Sequence, residues 1–276
     1  MNVLVAEKCG FCQGVRRAIQ IANKTLEANG TVYSLGPIIH NTDVVKSLED
    51  KGLTTISDID NLQNGTVLTR SHGATPDQLE RIVDNGLDLV DGTCSFVKHV
   101  QLVAKSLEKE GYSVVIIGDA GHPEVQALAG SVKQSTVVRD ESELDKLPNR
   151  MKLGIISQTT QSKEHFAEMT ALIMKRGFKE IKVVNTLCKE ASKRQEAAVE
   201  LAGRVEVMFV LGGRHSANTK KLADLCKIKN KNTFHLQNWS EIDKRIVSGF
   251  QTAGVTAGAS TPDWVINEFV ENLKKL

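Results

Sequence analysis

A chain of 276 residues, 41% hydrophobic and 25% charged, has the make-up of a soluble globular protein, long enough for one large α/β domain or two to three small lobes. A net charge of +2 gives no global attraction to nucleic acid or a membrane surface, and 4% aromatic residues are too few for base-stacking platforms. There is no run of about 18 apolar residues to span a bilayer. The first residues lack the charged-then-apolar order of a signal peptide. A cytoplasmic location is therefore expected, where thiols stay reduced and five cysteines favour metal or redox chemistry over a disulfide framework.

Short apolar runs alternate with amphipathic helical patterns along the chain. Residues 3–6 read as a first strand, and 15–29 as a helix with Val15, Ile19, Ala22 and Leu26 on one face. Strands are then predicted at 32–35, 67–69 and 87–90, followed by a helix over 97–110. Strands at 114–117 and 136–138 precede a polar, mixed-sign surface excursion at 140–152. A strand at 153–157, a helix over 163–176 and a strand at 181–184 come next. The last part predicts a helix over 189–204 and strands at 207–211, 233–236 and 254–256. This alternation argues for an α/β protein with mostly parallel sheets. The element order suggests three pseudo-repeats without a strict period, so three small α/β lobes packed about a shared site fit better than a solenoid.

Ligands of open α/β sheets sit beyond the carboxyl ends of the strands, and unusual polar residues cluster there repeatedly. Pro37-Ile38-Ile39-His40-Asn41, Arg70-Ser71-His72-Gly73, Gly118 to Glu124, Ser157-Gln158-Thr159-Thr160, Gly212 to Asn218 and Ala257 to Asp263 each follow a predicted strand and lead into a helix. Gly-rich turns and helix starts offer backbone N–H groups to an anion, and Ser, Asn, Thr and His side chains complete a cradle for phosphate. Taken singly, Thr160, Thr261 and Asp263 are ordinary caps or turn residues. No dinucleotide or Walker A motif is present, so the pattern points to a small anionic ligand rather than a nucleotide. His40, His72 and His122 share this placement. His99 and His165 read as solvated surface residues, His235 as structural, and His215 as ambiguous. Glu124 is either a general acid or an ordinary first-turn carboxylate favoured by the helix dipole.

Cys12, Cys94 and Cys188 lie 82 and 94 residues apart, each in a turn beside a strand-like run. Three thiolates meeting at one centre would leave one coordination position open, where metal catalysis takes place. Cys9 and Cys12 form a C-x-x-C pair, which keeps a redox reading alive, and Cys226 in a helical pattern reads as an inert buried thiol. An iron–sulfur cluster with one uncoordinated iron also fits the three matching turns.

Together the segments Gly10-Phe11-Cys12-x-Gly14-Val15-x-Arg17-Ala18, Ile39-His40-Asn41, Ser71-His72-Gly73, Asp91-x-Thr93-Cys94, Gly121-His122-Pro123-Glu124, Ser157-Gln158-Thr159-Thr160, Arg194-Gln195-Glu196 and Gly254 to Asp263 resemble the 4-hydroxy-3-methylbut-2-enyl diphosphate reductase (IspH/LytB) family, in order along the chain. The resemblance implies an α/β fold of three small lobes with mostly parallel sheets, in pseudo-threefold arrangement around a central iron–sulfur cluster. It implies lobes at 13–94, at 95–187 and at 1–12 plus 188–265, with a C-terminal helix at 266–276. It further implies a [4Fe–4S] cluster held by Cys12, Cys94 and Cys188, with one open iron site. The implied reaction is reductive dehydroxylation of an allylic diphosphate to isopentenyl and dimethylallyl diphosphates, the last step of the methylerythritol phosphate route. Glu124 would feed protons, Thr159 would hydrogen-bond the substrate hydroxyl, and His122 would assist proton delivery. His40, His72, His122, Ser216, Asn218 and Ser260 would hold the diphosphate. Ala217 stands where the family commonly has a second serine, and contributes its backbone N–H. The electron donor implied is a ferredoxin or flavodoxin, with no nucleic-acid or membrane partner. Two other readings are a lyase that uses the cluster only as a Lewis acid, and a metal- or phosphate-binding protein without catalysis.

Overall fold

A computed structural model of the chain describes residues 1–28, 30–149, 152–247 and 249–276. The elements are β1 (Asn2–Val5), α1 (Gln13–Ala28), β2 (Val32–Leu35), α2 (Thr42–Glu49), β3 (Leu53–Ile56), β4 (Thr66–Leu68), α3 (Pro76–Asp84) and β5 (Asp88–Val90). They continue with α4 (Ser95–Lys109), β6 (Ser113–Ile117), α5 (Pro123–Ala129), β7 (Ser135–Val138), β8 (Lys152–Ser157), α6 (Lys163–Met174) and β9 (Glu180–Val183). The last are α7 (Lys189–Ala202), β10 (Val207–Leu211), α8 (Ala217–Lys229), β11 (Thr233–Leu236), α9 (Lys244–Val247), β12 (Thr252–Ala257) and α10 (Asp263–Lys274). They form two compact units: one of Met1–Arg16, His40–Val45 and Lys189–Leu276, the other of Arg17–Ile39 and Lys46–Cys188.

The first unit holds one four-stranded sheet, ordered β1-β12-β10-β11, and the second holds two, ordered β3-β2-β4-β5 and β7-β6-β8-β9. All strand pairs among the described residues are parallel. Counted within its own lobe, every sheet therefore has the order 2-1-3-4. In the first unit the fourth position is filled by β1, which runs beside β12 from Asn2↔Thr252 to Val5↔Val255. This order reverses direction between its first and third strands, and such a reversal opens a crevice at their carboxyl ends. The crevices lie at β2/β4, β6/β8 and β10/β12.

Both faces of the sheets are covered, which explains the continuous apolar runs. On one face of the first unit's sheet, Val207, Phe209, Leu211, Val255 and Ala257 pack against Ile266, Phe269, Val270 and Leu273 of α10. The alternate residues Met208 and Val210 pack with Ala198 and Leu201 of α7 and Leu222 of α8. The β6–β9 sheet repeats this arrangement. Val115, Ile117 and Ile155 meet Phe166, Met169 and Ile173 of α6 on one side, and Val114, Ile116 and Ile156 meet α4 and α5 on the other.

The sequence reading missed β3. It is an edge strand of four residues, of which only Leu53 is buried, so its Thr54-Thr55 pair gives too little apolar signal. The expected helix over 15–29 begins two residues earlier, at Gln13, and its position 29 lies outside the described residues. The 140–152 excursion is not wholly a surface feature: it carries a 3-10 turn, Glu141–Lys146, that buries Leu144 against the sheet core. Positions 150 and 151 of it lie outside the described residues.

Candidate active site

In the second unit the β6 and β8 ends bring an acid and a hydroxyl together. Glu124 stands in the first turn of α5, yet its carboxylate points inward and is 3% exposed. Its Oε1 accepts from the Thr159 backbone N–H at 2.7 Å, and its Oε2 accepts from the Thr159 hydroxyl at 2.8 Å. Burial pushes the Glu124 carboxyl above the usual carboxylate range, and the two bonds from Thr159 oppose this without cancelling it. Gln158, 1% exposed, fixes the loop: its Oε1 accepts from Asp119 N at 3.1 Å and its Nε2 donates to Thr160 Oγ1 at 3.3 Å. It thus ties the β8 end to the loop that leads to His122.

His122 caps α5, its Nδ1 accepting from Glu124 N at 3.2 Å. A backbone N–H can only donate, so the neutral ring carries its proton on Nε2 and presents a donor there. The His72 ring meets His122 edge-on, with centroids 5.4 Å apart.

The cysteines follow the fourth strand of each sheet. Asp91 Oδ1 accepts from Thr93 N at 2.9 Å and from Thr69 Oγ1 at 3.0 Å, closing the turn that presents Cys94. Asn185 Oδ1 accepts from Leu187 N at 3.0 Å in the same way ahead of Cys188. In both, an Asx turn sets the cysteine three residues on, directly before a helix. Cys94 is the N-cap of α4 and makes no side-chain cap bond. Backbone bonds join these turns to the polar loops: Cys94 N donates to Ser71 O at 3.0 Å, and Cys188 N to Thr159 O at 2.8 Å.

In the first unit Cys12 precedes α1, and its Sγ accepts from Val15 N at 3.4 Å. Gly10 just before it has φ +78, and a Cβ there would meet Asp263 Oδ1 at 2.6 Å, so the turn demands glycine. Cys12 N donates to Ala259 O at 3.1 Å, and Ser260 Oγ donates to His40 O at 3.1 Å. The β10 end supplies Ser216, the N-cap of α8, followed by Ala217 at the first helical position and Asn218. The Asn218 side-chain amide nitrogen is buried without a hydrogen-bond partner among the described residues. A buried donor of this kind, beside the free N–H groups of a helix start, suits an anionic ligand.

The first unit therefore carries Cys12, His40, Ser216, Ala217, Asn218 and Ser260, and the second carries His72, Cys94, His122, Glu124, Thr159 and Cys188. His99 and His215 are exposed. His165 departs from the solvated expectation: it is half-buried, with Nε2 at 2.9 Å from Arg139 O. His235 Nε2 lies 2.9 Å from Gly212 O, a structural tie. Thr261 is no cap, since its hydroxyl, fully buried, donates to Leu211 O at 3.0 Å. Gln158, Asp91 and Asn185 received no role from the sequence; the recurrence of Asp or Asn three residues before two of the cysteines was the available signal.

The five cysteines divide by surroundings. Burial pushes the Cys9 thiol up to about 11 and the Cys226 thiol to about 12, so neither ionises readily. Cys12, Cys94 and Cys188 are half-buried and stand immediately before helices. That donor set fits an iron–sulfur cluster.

The LytB protein family model matches residues 3–274. The chain belongs to this family. It is 43% identical over 276 residues to the 4-hydroxy-3-methylbut-2-enyl diphosphate reductase of Geobacter sulfurreducens, covering 100% of this chain and 98% of the relative. The enzyme of that name from Geotalea uraniireducens is 42% identical over 277 residues, with the same coverage. A solved structure of (E)-4-hydroxy-3-methyl-but-2-enyl diphosphate reductase, described as the terminal enzyme of the non-mevalonate pathway, is 37% identical, with a TM-score of 0.74 and full coverage of both chains. The E-1-hydroxy-2-methyl-but-2-enyl-4-diphosphate reductase structure from Plasmodium falciparum is 26% identical, with a TM-score of 0.92 over 98% of this chain and 87% of the other. The three α/β lobes with parallel sheets expected of the family are present. Among the described residues no helix is long and apolar enough to cross a membrane.

Proposed function

We propose that this chain reduces 4-hydroxy-3-methylbut-2-enyl diphosphate to isopentenyl and dimethylallyl diphosphates, the terminal step of the non-mevalonate pathway. The observation that carries the reading is the buried Glu124 carboxyl bonded to Thr159, in a chain that shares the family's length and fold. The reaction consumes two electrons and two protons, replaces the C–O bond by C–H and releases water. Cys12, Cys94 and Cys188 are assigned as the cluster ligands. A [4Fe–4S] cluster held by these three thiolates would supply electrons and a Lewis-acidic iron.

The protein's own part is to bind, orient and move protons. Glu124 is assigned as the source of a proton, from a buried carboxyl. When its Oε2 carries that proton, it donates to Thr159 Oγ1 and frees the threonine hydroxyl to donate onward to the leaving hydroxyl. His122, with its proton on Nε2, serves as a donor to phosphate oxygen rather than as a carrier through Nδ1, which the Glu124 amide occupies. His40, His72, Ser216, Asn218 and Ser260 and the backbone N–H of Ala217 supply further donors to the diphosphate. Anchoring that group fixes where the allylic hydroxyl lies, which is worth more to the rate than its own affinity. The electron donor is assigned as a small ferredoxin or flavodoxin.

Anaerobic turnover of the allylic diphosphate by iron- and sulfide-reconstituted protein, with a reduced viologen dye, tests this. Two dye equivalents oxidised per product molecule are expected. An intact cluster with neither dye oxidation nor product would sink the assignment.

A further inference from the structure

Arg194 on α7 is a guanidinium only 4% exposed, and the mechanism above gives it no task. Its Nη1 donates to Ala257 O at 3.2 Å and to Lys8 O at 3.4 Å. Those two carbonyls lie where the β1–β12 ladder stops. The last rung is Ala6 N to Val255 O at 2.9 Å; a further parallel rung would run from Lys8 N to Ala257 O. That acceptor also serves Arg194. Past this point the two segments carry different cargo: β1 leads to Cys12, and β12 leads to Ser260. They rejoin at Cys12 N to Ala259 O, and Ser260 Oγ then reaches His40 O. Cys9 fills the same junction, a thiol that burial holds protonated while the Arg194 charge pulls it the other way.

We propose that Arg194 is a positioning residue, a wedge at the end of the β1–β12 ladder that sets the Cys12 turn and the Ser260 turn in one fixed relation. Its functional weight rests on reading Cys12 as a cluster ligand and Ser260 as a diphosphate donor. The burial of a guanidinium requires strong compensation, and carbonyl oxygens at a strand junction provide it. Lysine keeps the charge but is too short to place its nitrogen where Nη1 lies, and methionine keeps the bulk without charge or donors.

The test uses the full-length, metal-free chain and needs no turnover, so its failure is distinct from failure of the proposed reaction. Wild type, Arg194→Lys and Arg194→Met are treated with iodoacetamide, and labelling of Cys12, Cys94 and Cys188 is followed by peptide mass spectrometry. Both variants are expected to label Cys12 about tenfold faster, with Cys94 and Cys188 unchanged, as local opening of one turn requires. Inorganic pyrophosphate is expected to bind both variants more weakly by calorimetry, because the Ser260 turn moves with the wedge. Equal acceleration at all three cysteines would mean a general loss of stability and overturn the proposal. So would wild-type behaviour of Arg194→Lys beside a changed Arg194→Met, which would mark a role of charge alone.

Discussion

Burial and hydrogen bonding act on the Glu124 carboxyl in opposite directions, and burial prevails. A carboxyl raised in the fold binds its proton more tightly there than in the unfolded chain. Its contribution to stability is complete below the unfolded value and falls as pH rises through the raised one. Glu124→Gln keeps both contacts with Thr159, since the amide oxygen accepts the Thr159 N–H and the amide nitrogen donates to the hydroxyl. The variant is expected to melt higher than wild type, by a margin that widens as pH rises above the ordinary carboxylate range. Its turnover is expected to fall about 10²- to 10⁴-fold, the usual worth of a general acid. A flat difference in melting temperature as pH rises would show that the carboxyl is ionised in the fold. The cysteines give a second check at this scale. Serine at Cys12, Cys94 or Cys188 is expected to cut iron and sulfide content, whereas Cys9→Ser and Cys226→Ser retain it, because their thiols are held protonated by burial.

At the level of elements, the β10 and β12 ends are packed against the start of α8 without a side chain between. A Cβ on Gly258 would overlap Thr219 Oγ1, and one on Gly212, with φ +141, would meet Thr261 Oγ1 at 2.7 Å. Thr219 also donates from its N–H and hydroxyl to Ser216 Oγ, at 3.3 and 3.0 Å, so the helix start and the strand end are fixed together. Gly258→Ala is expected to cost about 1–3 kcal/mol by overpacking, with weaker pyrophosphate binding. Adding Thr219→Ala is expected to recover part of the stability but not the binding, since the hydroxyl that donates to Ser216 Oγ is lost; a double-mutant cycle in urea measures this coupling. Farther from the site, Phe269 packs with Phe209 and Trp239, ring centroids 5.3 Å away in each case. Phe269→Ala is expected to cost about 3–5 kcal/mol in denaturant midpoint measurements.

Across the whole molecule one strand order is used three times, and the chemistry is distributed by strand position. The histidines, hydroxyls and acid follow the first and third strands of the sheets, at the crevices, and the cysteines follow the fourth. The pattern holds in the first unit only because β1, from the start of the chain, fills the fourth place. A group bound by the folded chain alone stabilises it by mass action. Iron–sulfide reconstitution is therefore expected to raise the melting temperature of wild type, and to leave that of Cys94→Ser nearly unchanged. Equal shifts in both would mean that Cys94 holds no metal.

The sequence by itself determined the α/β class, eleven of the twelve strands among the described residues, and the polar loops, because short apolar runs and Gly-marked turns are local signals. It also picked out Glu124, Thr159 and the three cysteines, through residues that matched a family pattern. Tertiary structure alone decided three things. It buried the Glu124 carboxyl against Thr159, because that contact depends on the β6 and β8 ends being neighbours. It revealed β3, whose four residues gain their order from pairing with β2 rather than from their own composition. It also gave Arg194 its place, since a guanidinium that serves two carbonyls, 186 and 63 positions away in sequence, leaves no local trace.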